Sequence, residues 1–548
     1  MLLRSKGLAF ADVDITHDEK LQREMVERSR RRSVPQLFIV GESIRGCDDL
    51  AVLNAICRLD ARLGLEPVAL RRLYDLIIHR RRTGCSLGGS VRGAEEQSGR
   101  RSKPMSDFDV IVIGTGVTGQ TVAEELARGG KRVAIVDRRE YGGTCTLRGC
   151  EPKKVLFTAA EVVERAAAQE GRGSAGDLRL DWPAVIAFKR TFTDSAPQGI
   201  EAYLKDAGVE TLHGTARFTG EARLAVDGAV HTAGHIVVAT GARPAPLGVE
   251  GENLVLTSED FMAADDLGQR IVFIGGGYIS MEFAHVAAAA GAAVTVCHRG
   301  AAVLKGFDPD LAAMLAESYR RAGIEVRTEA RVRGVEREGD SLAVVLEDGM
   351  RLAADMVVHG AGRVPDLDAL DLEAAGVSFG SRGVAVDDQL RSVTNPRVWA
   401  AGDAADCGLP LTPVGIAQGR VVVRNILGPG AAAYDPVVTP SVVFSDPPLA
   451  AVGLTEDLAA AQGLDVRAPL IDRTAWASSR RIGARVAGAK VLVEQGAGRI
   501  VGAHLLGQHA EEVINVFAAA IAGGLTADDL KAMPWAYPTA GSEIVYLV

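Results

Sequence analysis

The run Asp109-Val110-Ile111-Val112-Ile113, leading straight into Gly114-Thr115-Gly116-Val117-Thr118-Gly119, restricts the fold more than any other part of the chain. A short apolar strand that ends in a glycine loop and continues as a helix, here through Leu126, opens a βαβ unit. The next strand, Arg132 to Asp137, ends in an acid 18 residues after the third glycine. That is a complete dinucleotide-binding fingerprint. Gly114, Gly116 and Gly119 let the backbone approach a pyrophosphate, the helix N-terminus faces its charge, and Asp137 accepts from ribose hydroxyls. The same order recurs from Arg270 through Gly275, Gly277 and Tyr278, with Ser280 at the third small position. There the following strand, Ala293 to Cys297, runs into His298-Arg299 instead of an acid, and Lys305 follows six residues after Arg299. An acid suits the 2′-hydroxyl of NAD, whereas cations suit the 2′-phosphate of NADP, so the second unit reads as a site for NADPH.

At 548 residues the chain has room for three or four domains. A net charge of −9 speaks against nucleic acid as a partner of the whole. No apolar run reaches the roughly 18–20 residues of a membrane helix, and the N-terminus lacks the apolar core of a signal peptide, so a cytoplasmic protein is expected. Seven cysteines, an odd number, do not form a secreted disulfide framework.

Cys145 and Cys150 lie five apart between glycines, followed by Pro152-Lys153-Lys154. No CxxC partner or histidine cluster accompanies them, which leaves no metal site. A disulfide closing so small a loop stabilises little, and a labile redox role fits better. A helix beginning here would favour a thiolate through its dipole, and Lys153 adds a cation.

Other segments read more plainly. His235 to Pro244 is a strand and turn containing Ala239-Thr240-Gly241. Val398 to Asp403 is a strand ending in Gly-Asp. Beyond about Pro440, strands at Ser441–Phe444, Ala489–Glu494 and Ile500–Leu506 alternate with a helix from Glu511 to Ala522. Residues 66–104 carry nine Arg or Lys against four Asp or Glu and read as a basic, flexible linker. Ahead of it, residues 18–33 read as a charged helix, residues 34–40 as a strand entered through Pro35, and Asp48 as the cap of another helix.

Together these motifs make residues 105–548 resemble the pyridine nucleotide–disulfide oxidoreductases, nearest the glutathione-reductase branch. The resemblance rests on the first fingerprint, the Cys145/Cys150 run, Ala239-Thr240-Gly241, the run from Gly275 through Tyr278 to Glu282, Gly362-Arg363-x-Pro365, Gly402-Asp403, Leu411-Thr412-Pro413-Val414 and Val452 to Glu456. It implies an α/β fold with two Rossmann-like nucleotide-binding domains and a C-terminal α+β dimerisation domain. The boundaries expected are 105–245 and 366–435 for the FAD-binding domain, 246–365 for the NAD(P)H-binding domain, and 436–548 for dimerisation. FAD would be held by Gly114, Gly116, Gly119, Asp137, Thr144, Ala239, Thr240, Gly241 and Asp403. NADPH would meet Gly275, Gly277, Ser280, Arg299 and Lys305, with Tyr278 gating the nicotinamide pocket. By the same resemblance Cys150 is the thiol over the flavin, Cys145 the thiol that attacks substrate, and Lys153–Glu282 the ion pair beside the flavin. A homodimer is implied.

Residues 1–65 resemble the later part of a glutaredoxin, through Lys6-Gly7, Asp14-Ile15, Glu24-Met25, Arg28-Ser29, Val34-Pro35-Gln36 and Gly46-Cys47-Asp48-Asp49-Leu50. This implies a partial thioredoxin-fold segment, with glutathione contacts on Val34, Pro35, Cys47 and Asp48. The chain begins after the strand and Cys-Pro-x-Cys motif of that family. Either the true start lies upstream or the segment is a remnant, and no glutaredoxin catalysis is expected of it as it stands. A docking or regulatory role is the alternative.

Two departures concern the electron acceptor. The resemblance implies that the family's acid is a His in a His-Pro-Thr run of the partner subunit, held by a Glu five residues on. This chain has Tyr537-Pro538-Thr539, with Ser542 at the fifth position and Glu543 at the sixth. Tyr537 is thus the candidate catalytic residue at the acid's position; a tyrosine, with a pKa of about 10, is a poorer acid–base catalyst at pH 7, though it can donate a hydrogen bond. If the segment is helical, an offset of one residue is about 100°, and Glu543 cannot simply replace the missing Glu. The glutathione-binding arginine of the first helix is Glu124 here, although Arg420 matches a second one. Two functions therefore stay open. One is reduction of a low-molecular-weight or protein disulfide, glutathione-related, in cell redox homeostasis. The other is an NAD(P)H–flavin reductase with a non-disulfide acceptor such as a quinone or mercuric ion.

Overall fold

The computed structural model describes residues 37–39, 42–44, 106–428, 432–435 and 438–548. The chain divides into two units, Met1–Arg101 and Ser102–Val548. In the first, strand Leu37–Ile39 lies within the stretch expected to be extended. It pairs antiparallel with Glu42–Ile44, a strand the sequence reading does not include, with Leu37 opposite Ile44. The helices expected at 18–33 and after Asp48, and the linker 66–104, lie outside the described residues.

In the second unit the first glycine loop joins strand Phe108–Ile113 to helix Val117–Arg128. Parallel strands run in the order Glu210–His213, Val133–Asp137, Phe108–Ile113, Ala229–Val238, and Val398–Ala400 pairs with the last. The chain winds one way from Phe108–Ile113 and then returns to its other side, so the winding reverses beside Gly114. A ligand crevice forms at such a reversal. Gly114 has φ +107°, and a Cβ there would stand 2.3 Å from the carbonyl oxygen of Ala239, so the two loops meet only through glycine.

The second cradle repeats this solution. Its parallel order is Glu325–Arg327, Ala293–Cys297, Arg270–Ile274, Met356–His359, and a Cβ on Gly275 would stand 2.5 Å from Gly360 O. The chain enters and leaves this part through adjacent antiparallel strands, Ala242–Pro244 and Arg363–Pro365. Near the C-terminus, Ser441–Val443, Leu449–Gly453, Ile500–Leu506 and Gly488–Glu494 form an antiparallel sheet. Helix Ala510–Ala522 buries Ala510, Ile514, Phe517 and Ala520 against it, at the three-to-four-residue spacing of one helix face.

The three parts converge on a buried polar cluster. Glu164 comes from helix Cys150–Ala168, His285 from helix Tyr278–Ala289, and Asp446 from the turn after Ser441–Val443. His285 Nδ1 lies 2.9 Å from Glu164 Oε1. Burial pushes the Asp446 carboxyl up to about 7, helped by its hydrogen bond with Glu164, and burial pushes His285 down to about 4. Unfolding returns Asp446 to the ordinary carboxylate range, so the folded chain binds this proton more tightly. Stability held below that range is lost as pH rises through about 7. Thermal unfolding of wild type and Asp446→Asn from pH 4 to pH 8 tests this. The variant is expected to gain on wild type by on the order of 4 kcal/mol between about pH 4 and pH 7 and no more above it. Parallel curves would contradict the assignment.

Candidate active site

Cys145 sits in a single π-helical turn, Thr144–Arg148, and Cys150 is the first residue of helix Cys150–Ala168. Such turns recur at functional sites. Gly143 lets this segment lie on the first nucleotide loop: its φ is +65°, and a Cβ would stand 2.4 Å from Gly116 Cα. Both cysteines are free thiols, Cys145 half-buried and Cys150 exposed. Thr412 opens helix Thr412–Leu427 opposite them. Its hydroxyl donates to Cys145 Sγ at 3.3 Å and lies 3.6 Å from Cys150 Sγ.

The two sulfurs titrate apart. Cys150 is drawn down to about 6, first by a hydrogen bond from the Cys145 thiol, with Thr412 and the Lys153 charge assisting and burial opposing. Cys145 is pushed up, because it gives its hydrogen to Cys150 and is itself buried. The stable reduced form is thus a Cys150 thiolate capped by a Cys145 thiol. The helix N-terminus favours that charge.

One turn along the cysteine helix, Lys153 Nζ lies 2.5 Å from Glu282 Oε2. Glu282 is 2% exposed, and its other oxygen accepts from Phe444 N at 2.8 Å. Burial alone would lower the Lys153 pKa, but the Glu282 carboxylate outweighs it and the net direction is upward. Tyr278, one turn before Glu282, places its ring 5.7 Å from Lys153 Nζ. Cys145, Cys150, Lys153, Glu282 and Tyr278 are therefore gathered by helix N-termini and single turns.

The residues expected to hold nucleotides fit them. Asp137 is fixed at its strand end by Thr115 N and Oγ1, both 2.8 Å away, and by Arg139 N at 3.0 Å. A carboxylate has about four acceptor sites, so room remains for a ribose hydroxyl. Thr240 Oγ1 is buried without a hydrogen-bond partner, and burial raises the pKa of Asp403 against the pull of Arg363. Both want a polar ligand. Thr144 is exposed. At the second loop Ser280 is fully buried with an unpartnered hydroxyl. His298 Nδ1 accepts from Gly276 N at 3.1 Å, and Arg299 and Lys305 are exposed and unpaired among the described residues.

One expected residue, Arg420, lies apart from this cluster. Arg420 is eight residues, roughly 12 Å, along its helix from Thr412 and pairs with Glu125 at 3.1 Å. Tyr537 is 86% exposed. Glu543 is engaged elsewhere, by Arg473 at 2.8 Å. Glu124 pairs with Arg128 at 2.7 Å and accepts from the Tyr203 hydroxyl. Thr412 is the residue that motif reading quotes without a role; a Thr-Pro opening a helix is its only local signal.

Residues 108–419 match the family model described as pyridine nucleotide-disulphide oxidoreductase. The chain belongs to this family. Residues 439–548 match its dimerisation domain and residues 1–44 a glutaredoxin model. A glutathione reductase of Burkholderia cepacia is 35% identical over 446 residues, 80% of this chain and 98% of the relative. A dihydrolipoyl dehydrogenase of Geobacillus stearothermophilus is 32% identical over 79% of this chain and 94% of the relative. A mercuric reductase of Staphylococcus aureus is 30% identical over 84% and 86%. Among solved structures, the Cu(II) complex of the HOCl-induced flavoprotein disulfide reductase RclA from Escherichia coli superposes with a TM-score of 0.74 at 27% identity, over 81% of this chain and 99% of that one. The chain is an oxidoreductase that works with FAD and a pyridine nucleotide. No helix among its described residues is long and apolar enough to cross a membrane.

The buried ion pair makes a direct prediction. Glu282→Gln leaves Lys153 uncompensated and is expected to cost about 3–5 kcal/mol in denaturant unfolding. The double variant Lys153→Met/Glu282→Met is expected to recover most of that loss. A double variant as unstable as the single one would contradict the pairing.

Proposed function

We propose that residues 105–548 carry electrons from NADPH through FAD and the Cys145–Cys150 pair to a disulfide, either low-molecular-weight or protein-borne, in glutathione chemistry. The observation that carries this reading is the thiol–thiolate pair itself, with Cys150 near 6 beside Lys153. Thiol–disulfide exchange needs a thiolate at working pH, and a purely structural pair does not.

FAD, when bound, accepts hydride from the nicotinamide and supplies two electrons to the cysteine pair. Gly114, Gly116 and Gly119 offer it backbone at the pyrophosphate, Asp137 takes the ribose hydroxyls, and Thr144, Ala239, Thr240, Gly241 and Asp403 line the remainder. Gly275, Gly277 and Ser280 do the same for NADPH. Arg299 and Lys305 face its 2′-phosphate where an acid would repel it. Tyr278 gates the pocket, and Lys153–Glu282 holds a fixed charge there. Cys145 attacks the acceptor disulfide, and Cys150 resolves the mixed disulfide. Arg420 serves the substrate's carboxylates, and Tyr537 caps the pocket in a cytoplasmic homodimer. The domain limits follow as 105–245 with 366–435, 246–365 and 436–548, after a segment at 1–65 and a linker at 66–104.

A second reading has a specific observation behind it. Tyr537 stands where the family has its acid, and Glu543 is held by Arg473 at 2.8 Å instead of by Tyr537, so among the described residues no carboxylate orients Tyr537. A quinone or metal-ion acceptor needs none. Consumption of NADPH with oxidised glutathione and a panel of other disulfides, by wild type and Cys145→Ser, separates the two. The disulfide reading expects turnover that falls at least about a thousandfold in Cys145→Ser. No turnover on any disulfide, together with quinone or metal reduction that survives the substitution, would establish the second.

A further inference from the structure

Lys490 is only 2% exposed, yet it lies outside the site described above. It stands on strand Gly488–Glu494, in the part that matches the dimerisation domain. Three carboxylates surround its Nζ: Glu456 at 2.5 Å, Asp310 at 2.6 Å and Asp308 at 2.9 Å. Burial opposes the charge on the lysine, and the carboxylates more than restore it. Glu456 and Asp310 are half exposed, so water also reaches them. Asp308 is 1% exposed and depends on its partners. Removing one side of a buried ion pair leaves the other charge uncompensated.

Asp308 follows the second nucleotide cradle. Its Oδ2 meets Lys490, and its Oδ1 caps helix Pro309–Arg321, accepting from Asp310 N and Leu311 N at 3.1 Å each. That helix lies close on the lysine's strand: a Cβ on Gly488 would stand 2.8 Å from Leu311 Cδ2. Three residues before Asp308 is Lys305, exposed and unpaired among the described residues. Its neighbour Leu304, 3% exposed, has φ +54°, and Gly306 has φ +109°. A leucine rarely takes positive φ, and such a conformation persists only where its surroundings hold it. Leu304 N donates to Gly276 O at 2.8 Å, on the glycine loop itself. Phe307 N donates back to Leu304 O at 3.0 Å. Lys305 therefore stands on a short bridge with one end on the glycine loop and the other on Lys490.

We infer that Lys490 is a positioning residue for coenzyme choice: through Asp308 it fixes the 304–308 bridge, and with it the place where Lys305 meets a 2′-phosphate. This rests on the proposed contact between Lys305 and that phosphate. A lysine is a point charge on a flexible stem, so its attraction depends on where its backbone is anchored. Freed from Lys490, Asp308 turns to water and the bridge loses its second anchor. Lys305 then ranges over more positions, and the 2′-phosphate loses affinity. The proposed pyrophosphate contacts at Gly275, Gly277 and Ser280 do not pass through Asp308. Asparagine caps a helix as well as aspartate does, so Asp308→Asn removes the ion pair and keeps the cap.

Calorimetric titration of the FAD-loaded full chain with 2′,5′-ADP and with 5′-AMP isolates the phosphate, because the two probes differ only there. It needs no electron acceptor. Wild type is expected to favour 2′,5′-ADP. Lys305→Ala lowers that preference about tenfold or more. Asp308→Asn lowers it about fivefold or more, while affinity for 5′-AMP stays within about twofold. On the Lys305→Ala background, Asp308→Asn changes the preference by less than about twofold. Lys490→Met repeats the Asp308→Asn result, and the Asp308 arm stays readable if Lys490→Met does not fold. A preference that falls in Lys305→Ala but not in Asp308→Asn would overturn the positioning role. Equal loss of both probes in Asp308→Asn would also overturn it, since a merely structural clamp has that effect. A preference that Lys305→Ala leaves unchanged would instead overturn the phosphate contact itself, and the inference with it.

Discussion

The ion pair between Lys153 and Glu282 is the constraint on which the site depends. A carboxylate only 2% exposed is costly to bury without a partner, and Glu282 has two, Lys153 and the Phe444 amide. Lys153 and Glu282 belong to the cysteine helix and the second glycine-loop helix, and Phe444 directly follows the first strand of the last sheet. Satisfying one buried charge therefore fixes three elements against each other. Because Cys150 is one turn before Lys153 and Tyr278 one turn before Glu282, the same pair sets where the Cys150 sulfur and the Tyr278 ring stand.

The nucleotide cradles show a second economy of design. In each, a glycine with positive φ at the end of a central strand abuts the backbone of the strand across the winding reversal, Gly114 against Ala239 and Gly275 against Gly360. One backbone solution thus serves two cofactors, and the side chains differentiate them. Asp137 ends its strand as an acid fixed by Thr115, while the equivalent strand ends in His298, held by Gly276. On the output side, Thr412 is what meets the two cysteine sulfurs among the described residues.

Much of this was legible in the sequence where the determinants are local. Glycine loops, the strands feeding them, the Cys145–Lys153 run and the amphipathic helix Ala510–Ala522 are written in consecutive residues, and they fall within a residue or two of their expected bounds. What sequence reading lacked are contacts between distant segments. Thr412 reaches Cys145 across 267 residues, His285 reaches Glu164 across 121, and Glu543 reaches Arg473 across 70. No spacing rule encodes these. Strand Glu42–Ile44 escaped for a different reason: three residues, Glu-Ser-Ile, carry too little alternation to announce a strand.

Charge in the reduced pair resides on Cys150, drawn down by the hydrogen bond from Cys145. Under the proposed function a Cys150 thiolate beside bound flavin would lend the reduced protein a long-wavelength absorbance that reports that charge directly. Titrated with pH in the two-electron-reduced wild type, it is expected to appear with a midpoint near 6. In Cys145→Ser, where the thiol donor is replaced, the midpoint moves upward. A wild-type midpoint at the ordinary thiol value of about 8.5, or one that Cys145→Ser leaves in place, would contradict the account.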